Sequence, residues 1–284
     1  MTGTGTQNDP YIVDTWPDFV TAIGTSGAYV KVADDTVWDM NSIAPEGITQ
    51  SLQVNANVDG NGVKIVNLHI ENLSAVIINA NGYLENINFT DVFAKATNGN
   101  YYFIGRSRNV KSGEVGRYIS ITGKFYGYGT SGSNKRIYAI FGNGSDTSFM
   151  SCSTNVELYG TAQLCKDDSN WDAYSPLLVN CNLKYVRLPI SGVYAWQNHI
   201  AVKNSWVEGS EYTTVCISNS SENSIFNVSA FGNITDGNSR TCLLWNSDKI
   251  ESGVSISSGI KLCSEAQLQD AAYLASIGFP IGVD

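Results

Sequence analysis

Carboxylates are sparse in this chain, so the places where they gather stand out. Asp167, Asp168 and Asp172 fall within the run Asp167-Asp168-Ser169-Asn170-Trp171-Asp172, and Glu208, Glu211, Asp248 and Glu251 follow further along. Two carboxyl groups held about 6.5–9.5 Å apart can act as general acid and general base in the inverting hydrolysis of a glycosidic bond. Asp167, Asp168 and Asp172 are therefore the candidate acids, although sequence alone does not align them with a second carboxylate. The same oxygens, with the Asn170 amide, have the chemistry of calcium ligands. The run lacks the Gly and the closing Glu of an EF-hand loop, and Asx residues favour turns for local hydrogen-bonding reasons alone. A solvated turn is the favoured reading, with no metal bound. Six Asn-x-Ser/Thr triplets, at Asn72, Asn88, Asn143, Asn219, Asn227 and Asn233, have the form of glycan acceptors, but a chain this rich in Asn, Ser and Thr produces them by chance.

Aromatic residues are the second lead. Tyr126, Tyr128, Trp171, Tyr174, Trp196 and Trp206 lie in the middle of the chain, several beside Gly or Ser. Exposed Tyr and Trp suit either the apolar face of a sugar or a protein interface. Those six form the candidate binding patch, while other aromatics are expected inside the fold, since strands are enriched in them.

Composition excludes several partners. A net charge of −9, a pI near 4.7 and only 17 scattered Lys and Arg leave no basic surface for phosphates or an anionic membrane. No apolar run approaches the ~18 residues of a membrane span. The opening Met1-Thr2-Gly3-Thr4-Gly5-Thr6 lacks the basic start and apolar core of a secretory signal, so the expectation is synthesis in the cytosol, release by another route, or a mature fragment. No Cys-x-x-Cys occurs and His69 and His199 are the only histidines, which argues against zinc; no cofactor is expected. Cys152, Cys181, Cys216, Cys242 and Cys263 each sit beside an apolar run, as free, inward-facing thiols would.

The elements that must position these residues are strands. Only 15% of residues are charged and 27 are Gly, a strand-and-turn composition. A loose phrase of an apolar run followed by Asn returns at Val76-Ile77-Ile78-Asn79, Leu177-Leu178-Val179-Asn180, Val202-Lys203-Asn204, Ile217-Ser218-Asn219 and Leu243-Leu244-Trp245-Asn246. Such recurrence suggests stacked units, each burying its apolar side only against its neighbours. Neutral Asn and Thr could stack without the repulsion that like charges would suffer at about 4.8 Å. Residues 15–23 read as a short helix, with Thr15 as N-cap, Pro17 in the first turn and Gly24 after it. Ser264-Glu265-Ala266-Gln267 has capping-box spacing and opens a second helix over 265–276. Helices at both ends would cover open sheet edges.

The start Gly3-Thr4-Gly5-Thr6-Gln7-Asn8-Asp9-Pro10-Tyr11-Ile12-Val13, the phrase Val58-Asp59-Gly60-Asn61-Gly62 and the ending around Leu262-Cys263-Ser264-Glu265 together resemble right-handed parallel β-helix proteins of the pectate-lyase-like superfamily, of the bacterial and bacteriophage type. The resemblance implies an all-β fold: a single-stranded right-handed parallel β-helix (solenoid) over 48–262, an N-terminal cap over 1–47, and a C-terminal capping helix and tail over 263–284. Enzymes of that superfamily carry stacked Asp residues, and some carry an R-x-P-x-x-R strand; here Arg187 and Pro189 match, but Gly192 stands where the second cation belongs. Arg187 with Asp167, Asp168 and Asp172 would be the catalytic set of a polysaccharide lyase or glycoside hydrolase, a tailspike-like depolymerase. Without a complete set, Arg187 reads as a corner residue. The resemblance then implies a non-enzymatic virion protein of a phage infecting gut-type bacteria, a capsid decoration protein, head fibre or tail appendage. Its partners would be itself, as a homotrimer, another virion protein, or a host-surface glycan. A surface adhesin fragment, extracellular in place, is the further alternative.

Overall fold

The computed structural model describes residues 1–71, 76–96, 101–105, 113–128, 138–142, 147–165, 177–193, 198–200, 202–203, 205–210, 215–217, 225–229, 242–245 and 260–263. Within them the chain is all-β apart from two short helices, α1 (Trp16–Ile23) and α2 (Met40–Ile43). Every strand pair is parallel, and most join a strand to one that comes a layer later in sequence. The large sheet runs from Tyr11–Val13 through Tyr29–Val32, Asn57–Val66, Tyr83–Ala96, Gly113–Gly127, Ser153–Gly160, Asn182–Leu188 and Trp206–Ser210 to Ile260–Cys263. A second sheet stacks Leu52–Val54, Val76–Ala80, Tyr101–Gly105, Tyr138–Gly142 and Ala162–Cys165.

The period-2 rule of a strand sends alternate residues in and out. Along Ser153–Gly160 the buried residues are Thr154, Val156, Leu158 and Gly160, and along Asn182–Leu188 they are Leu183, Tyr185 and Arg187. Because pairing is in register, the same position recurs in each layer: Leu52, Ile78, Ile104, Phe141 and Cys165 line up through the second sheet, all buried. Two interior positions depend on glycine. A Cβ on Gly209 would lie 2.3 Å from the Tyr185 ring, and one on Gly142 would lie 1.8 Å from Tyr102.

Outside, neutral side chains bond from layer to layer, as the stacking argument requires: Asn79 to Gln53 at 2.8 Å, Asn81 to Asn55 at 3.0 Å and Ser120 to Asn88 at 2.8 Å, while Asn86 donates to the Asp59 carboxylate at 2.9 Å. Cys152, Cys165 and Cys181 are free and buried. Cys152 and Cys181 occupy one interior position in adjacent layers, and the Cys152 amide donates to Cys181 Sγ at 3.4 Å. Burial pushes the Cys165 thiol up to about 12.

Helix α1 lies one residue inside the range expected from its caps. The Thr15 hydroxyl accepts from the Asp18 amide at 3.3 Å, and the Ile23 carbonyl, an orphan of the helix end, accepts from the Asn55 and Ala56 amides at 2.7 and 3.1 Å. Its apolar face joins the interior: Trp16, Phe19 and Trp38 pack with centroids 4.8–5.6 Å apart, and Trp38 Nε1 donates to the Asp14 carbonyl at 3.0 Å. The C-terminal helix expected over 265–276 lies outside the described residues.

In five successive layers of the described part the large sheet bends at a matching position, and the residue there has positive φ: Asn61 (53°), Asn86 (57°), Tyr118 (51°), Ser151 (50°) and Asn180 (54°). Asn visits this left-handed region readily because its short amide bonds locally, whereas a bulky side chain pays steric strain there. Tyr118 is the misfit of the set and is 55% exposed. Tyr118→Asn is therefore expected to raise stability by about 1 kcal/mol, seen as a higher midpoint at unchanged slope in urea unfolding; an unchanged or lower midpoint would show that the corner carries no strain.

Candidate functional site

Four aromatic side chains form a continuous outward stripe on the large sheet. His69 meets Phe93 edge to face at 5.0 Å, Phe93 meets Tyr126 at 5.2 Å, and Tyr126 stacks on Tyr159 at 4.2 Å with the planes 9° apart. Tyr128 extends the stripe sideways, parallel to Tyr126 at 6.5 Å. The local cause is register. Tyr126 pairs with Tyr159 and His69 pairs with Phe93, and strands about 4.8 Å apart bring rings at matching outward positions to stacking distance.

Charges of both signs border the rings. Lys95 Nζ lies 3.4 Å from Glu71, His69 Nε2 lies 3.5 Å from the same carboxylate, and Lys124 Nζ lies 3.7 Å from Glu157. The Tyr159 hydroxyl donates to Glu157. That bond to a carboxylate, with a smaller share from burial, holds the Tyr159 phenol well above the usual tyrosine range. The stripe therefore has a rigid apolar centre and a rim that carries no dominant sign.

Of the six aromatics proposed from sequence, Tyr126 and Tyr128 belong to this stripe. Trp206 does not. It pairs with Asn182, which pairs with Ser153, which pairs with Ser120. It therefore sits three strands across and six positions along from Tyr126, about 14 Å by about 20 Å. There its indole donates to Glu208 at 3.3 Å, and Glu208 pairs with Lys184 at 3.3 Å. Trp171, Tyr174 and Trp196, and the acidic Asp167, Asp168 and Asp172, lie outside the described residues. Phe93, Tyr159 and His69 were missed: Tyr126 pairs with Tyr159 and His69 with Phe93, but Phe93 pairs with Lys124 and reaches Tyr126 only diagonally, so no fixed spacing in the sequence marks the whole stripe.

Arg187 is not at a corner. It lies within the strand Asn182–Leu188, points inward, is 1% exposed and donates to the Gly160 carbonyl at 3.3 Å. Its neighbours at that interior position in the preceding layers are Leu158 and Phe125. A guanidinium there braces the interior and does not reach a polymer bound to the outer surface. No group of His, Cys, Asp or Glu that could hold a metal ion occurs among the described residues, and no described helix is long and apolar enough to cross a membrane.

No family model matches the chain, and no curated protein matches it. Among solved structures it is similar to that of a "putative immunoglobulin A1 protease" from Bacteroides ovatus, at 16% identity over 97% of this chain and 90% of the other, with a TM-score of 0.49.

Two expectations follow. Arg187→Ala should cost about 3 kcal/mol or more, from the cavity and the abandoned carbonyl together, and Arg187→Met should cost less because it refills the space. Equal, negligible losses in urea unfolding would mean that Arg187 bears no structural load. The second concerns pH. An unfolded tyrosine ionises near pH 10, and the folded value at Tyr159 lies above that, so this bond's stabilisation is present below about pH 10 and fades as pH rises beyond it. Ultraviolet difference titration should show a tyrosine that ionises late and returns toward the ordinary range in Glu157→Gln; tyrosines that all ionise together near pH 10 would contradict it.

Proposed function

We propose that this chain is a right-handed parallel β-helix that serves as a non-enzymatic structural protein of a bacteriophage particle, and that it associates through the aromatic stripe. What supports the closed coil is the uniformly parallel pairing between successive layers, with an apolar interior that repeats position by position. The observation that carries the functional reading is the run of Phe93, Tyr126 and Tyr159, partly exposed rings on one face, with Tyr126 stacked on Tyr159 at 9° and Phe93 tilted 39° against Tyr126. Rigid tyrosines contribute large contact area at little entropy cost, and such residues dominate binding hot spots.

The occupant that fits best is a second copy of the chain. A rim of Glu71, Lys95, Lys124 and Glu157 presents both signs at once, so a second copy brings both signs to the contact and can meet each with its complement. A partner of one strong charge would be repelled by half of that rim. By the resemblance to phage fibres the assembly is a trimer, fixed in turn to a capsid or tail protein. The inward position of Arg187 supports the non-enzymatic reading, since the motif that would have supplied a catalytic cation lends its side chain to the core instead.

Sedimentation equilibrium is expected to give a homo-oligomer at micromolar concentration. The double variant Tyr126→Ala/Tyr159→Ala should dissociate it at least tenfold more readily, with an unchanged circular dichroism spectrum. A monomeric wild-type protein, or an assembly indifferent to both substitutions, would remove the role assigned to the stripe. Mass spectrometry of purified particles tests the location: the protein should be a stoichiometric component.

A further inference from the structure

We infer that the N-terminal layers carry a binding site for a neutral pyranose, on the large sheet before its corner and away from the aromatic stripe. A groove of about 340 Å³ opens there, lined by Tyr29, Lys31, Asn57, Asp59, Tyr83 and Glu85, with Gln7 and Pro10 as its outer rim. That volume is at the small end of the range for ligand sites. It suits one or two sugar rings.

The groove is built by register. Tyr29, Asn57 and Tyr83 form one outward row, and Lys31, Asp59 and Glu85 form the next. Tyr29 and Tyr83 are thus two strands apart, about 9.6 Å, with the shorter Asn57 recessed between them. A slot of this width, floored by an amide and walled by aromatic residues, accepts a ring that offers C–H bonds on its faces and hydroxyls on its edge. The rim is fixed as well. The N-terminal segment is tied by the bond from the Tyr29 amide to the Gly5 carbonyl at 2.9 Å and by the Thr6–Asp9 pair at 3.2 Å.

The polar groups divide into those already committed and those facing the groove without a partner. Tyr83 is locked: its hydroxyl is shared between Glu85 and Glu114 at 3.2 Å each, and the Arg117 guanidinium lies 5.6 Å above its ring. Arg117 in turn grips Glu114 through two bonds, at 2.8 and 3.0 Å. Asp59 Oδ1 is also committed, accepting from the Asn61 amide at 2.8 Å and Asn86 Nδ2 at 2.9 Å. Among the described residues, Asp59 Oδ2, the Lys31 ammonium, the Asn57 side-chain carboxamide and the Tyr29 hydroxyl have no hydrogen-bond partner. This set mixes acceptor and donor. Sugar hydroxyls are both donor and acceptor and can satisfy all of it. An anionic sugar would face Asp59 and Glu85, and a cation would face Lys31, so the charge pattern selects an uncharged ligand.

The inference does not rest on assembly through the stripe, and one variant separates the two. Saturation-transfer NMR with methyl glycosides of glucose, galactose, mannose and N-acetylglucosamine, beside glucuronate and tetramethylammonium chloride, should detect binding of at least one neutral glycoside. The dissociation constant should be on the order of 1 mM, as the small size of such a ligand dictates. Asn57→Tyr fills the slot with a residue that strands tolerate and should reduce the signal at least fivefold without shifting the unfolding midpoint. Tyr29→Ala should do the same, and Tyr126→Ala should leave it intact. The inference is overturned if no neutral glycoside gives a signal, if glucuronate or tetramethylammonium binds in preference, or if binding survives Asn57→Tyr.

Discussion

In-register parallel pairing is the constraint on which the rest of this structure depends. Every side chain has a counterpart about 4.8 Å away in the layers before and after it, so each choice of residue is tested several times over. Inside, this favours apolar stacks such as Leu52, Ile78, Ile104 and Phe141. Each fully buried side chain of that kind contributes about 1.5–3 kcal/mol, whereas an exposed pair such as Lys184 with Glu208 contributes about 0–1 kcal/mol. The interior therefore decides the fold, and the outer surface has only to avoid repulsion. It does so with Asn, Ser and Thr bonded across layers and with cations set beside anions.

That division leaves the outer surface free for recognition. At one place the outward positions hold rings that stack on one another. At another, a short Asn between two tyrosines opens a recess, and some of the polar groups around it remain uncommitted. Both features arise from the same geometry: a matching residue in successive layers makes a ridge, and a shorter one makes a slot. A flat ridge is suited to a broad partner and a slot to a small one, which is why the two surfaces carry different proposals.

Much of the architecture was legible in the sequence, though for partly mistaken reasons. The low charge and the glycines led to strands, the loose recurrence and the resemblance to parallel stacking, and the Thr15–Gly24 capping signals to α1. The recurring Asn phrase combined two unrelated positions: Asn79 bonds Gln53 in the second sheet, while Asn180 turns a corner of the large one. The corner itself is held by Asn61, Asn86, Tyr118, Ser151 and Asn180, a set that shares a backbone conformation and not a residue type, so composition could not reveal it. Arg187 was read as a corner residue because its motif is incomplete and a Pro follows two residues on; only its alternation with Leu183 and Tyr185 would have turned it inward. Trp206 was grouped with Tyr126 by proximity along the chain, when distance on this surface depends on strand register. The groove escaped notice because Tyr29, Asn57 and Tyr83 are far apart in sequence and unremarkable singly.

The contact between α1 and the first layer is not repeated among the described residues. Trp16, Phe19 and Trp38 complete that layer from residues close together in sequence, and the Ile23 carbonyl holds Asn55 and Ala56, the two residues that lead into the strand Asn57–Val66. Domains emerging from a ribosome begin folding at the N-terminal side, so the first layer can finish before the others exist and then serve as the surface on which each newcomer finds its register. Loop closure grows costly only slowly with length, and each new layer needs only a loop of moderate length to reach the one before it. A chain organised in this way folds like a zip with a fixed lower stop, and damage near α1 would reach every later layer, whereas damage near Ile260–Cys263 would stay local.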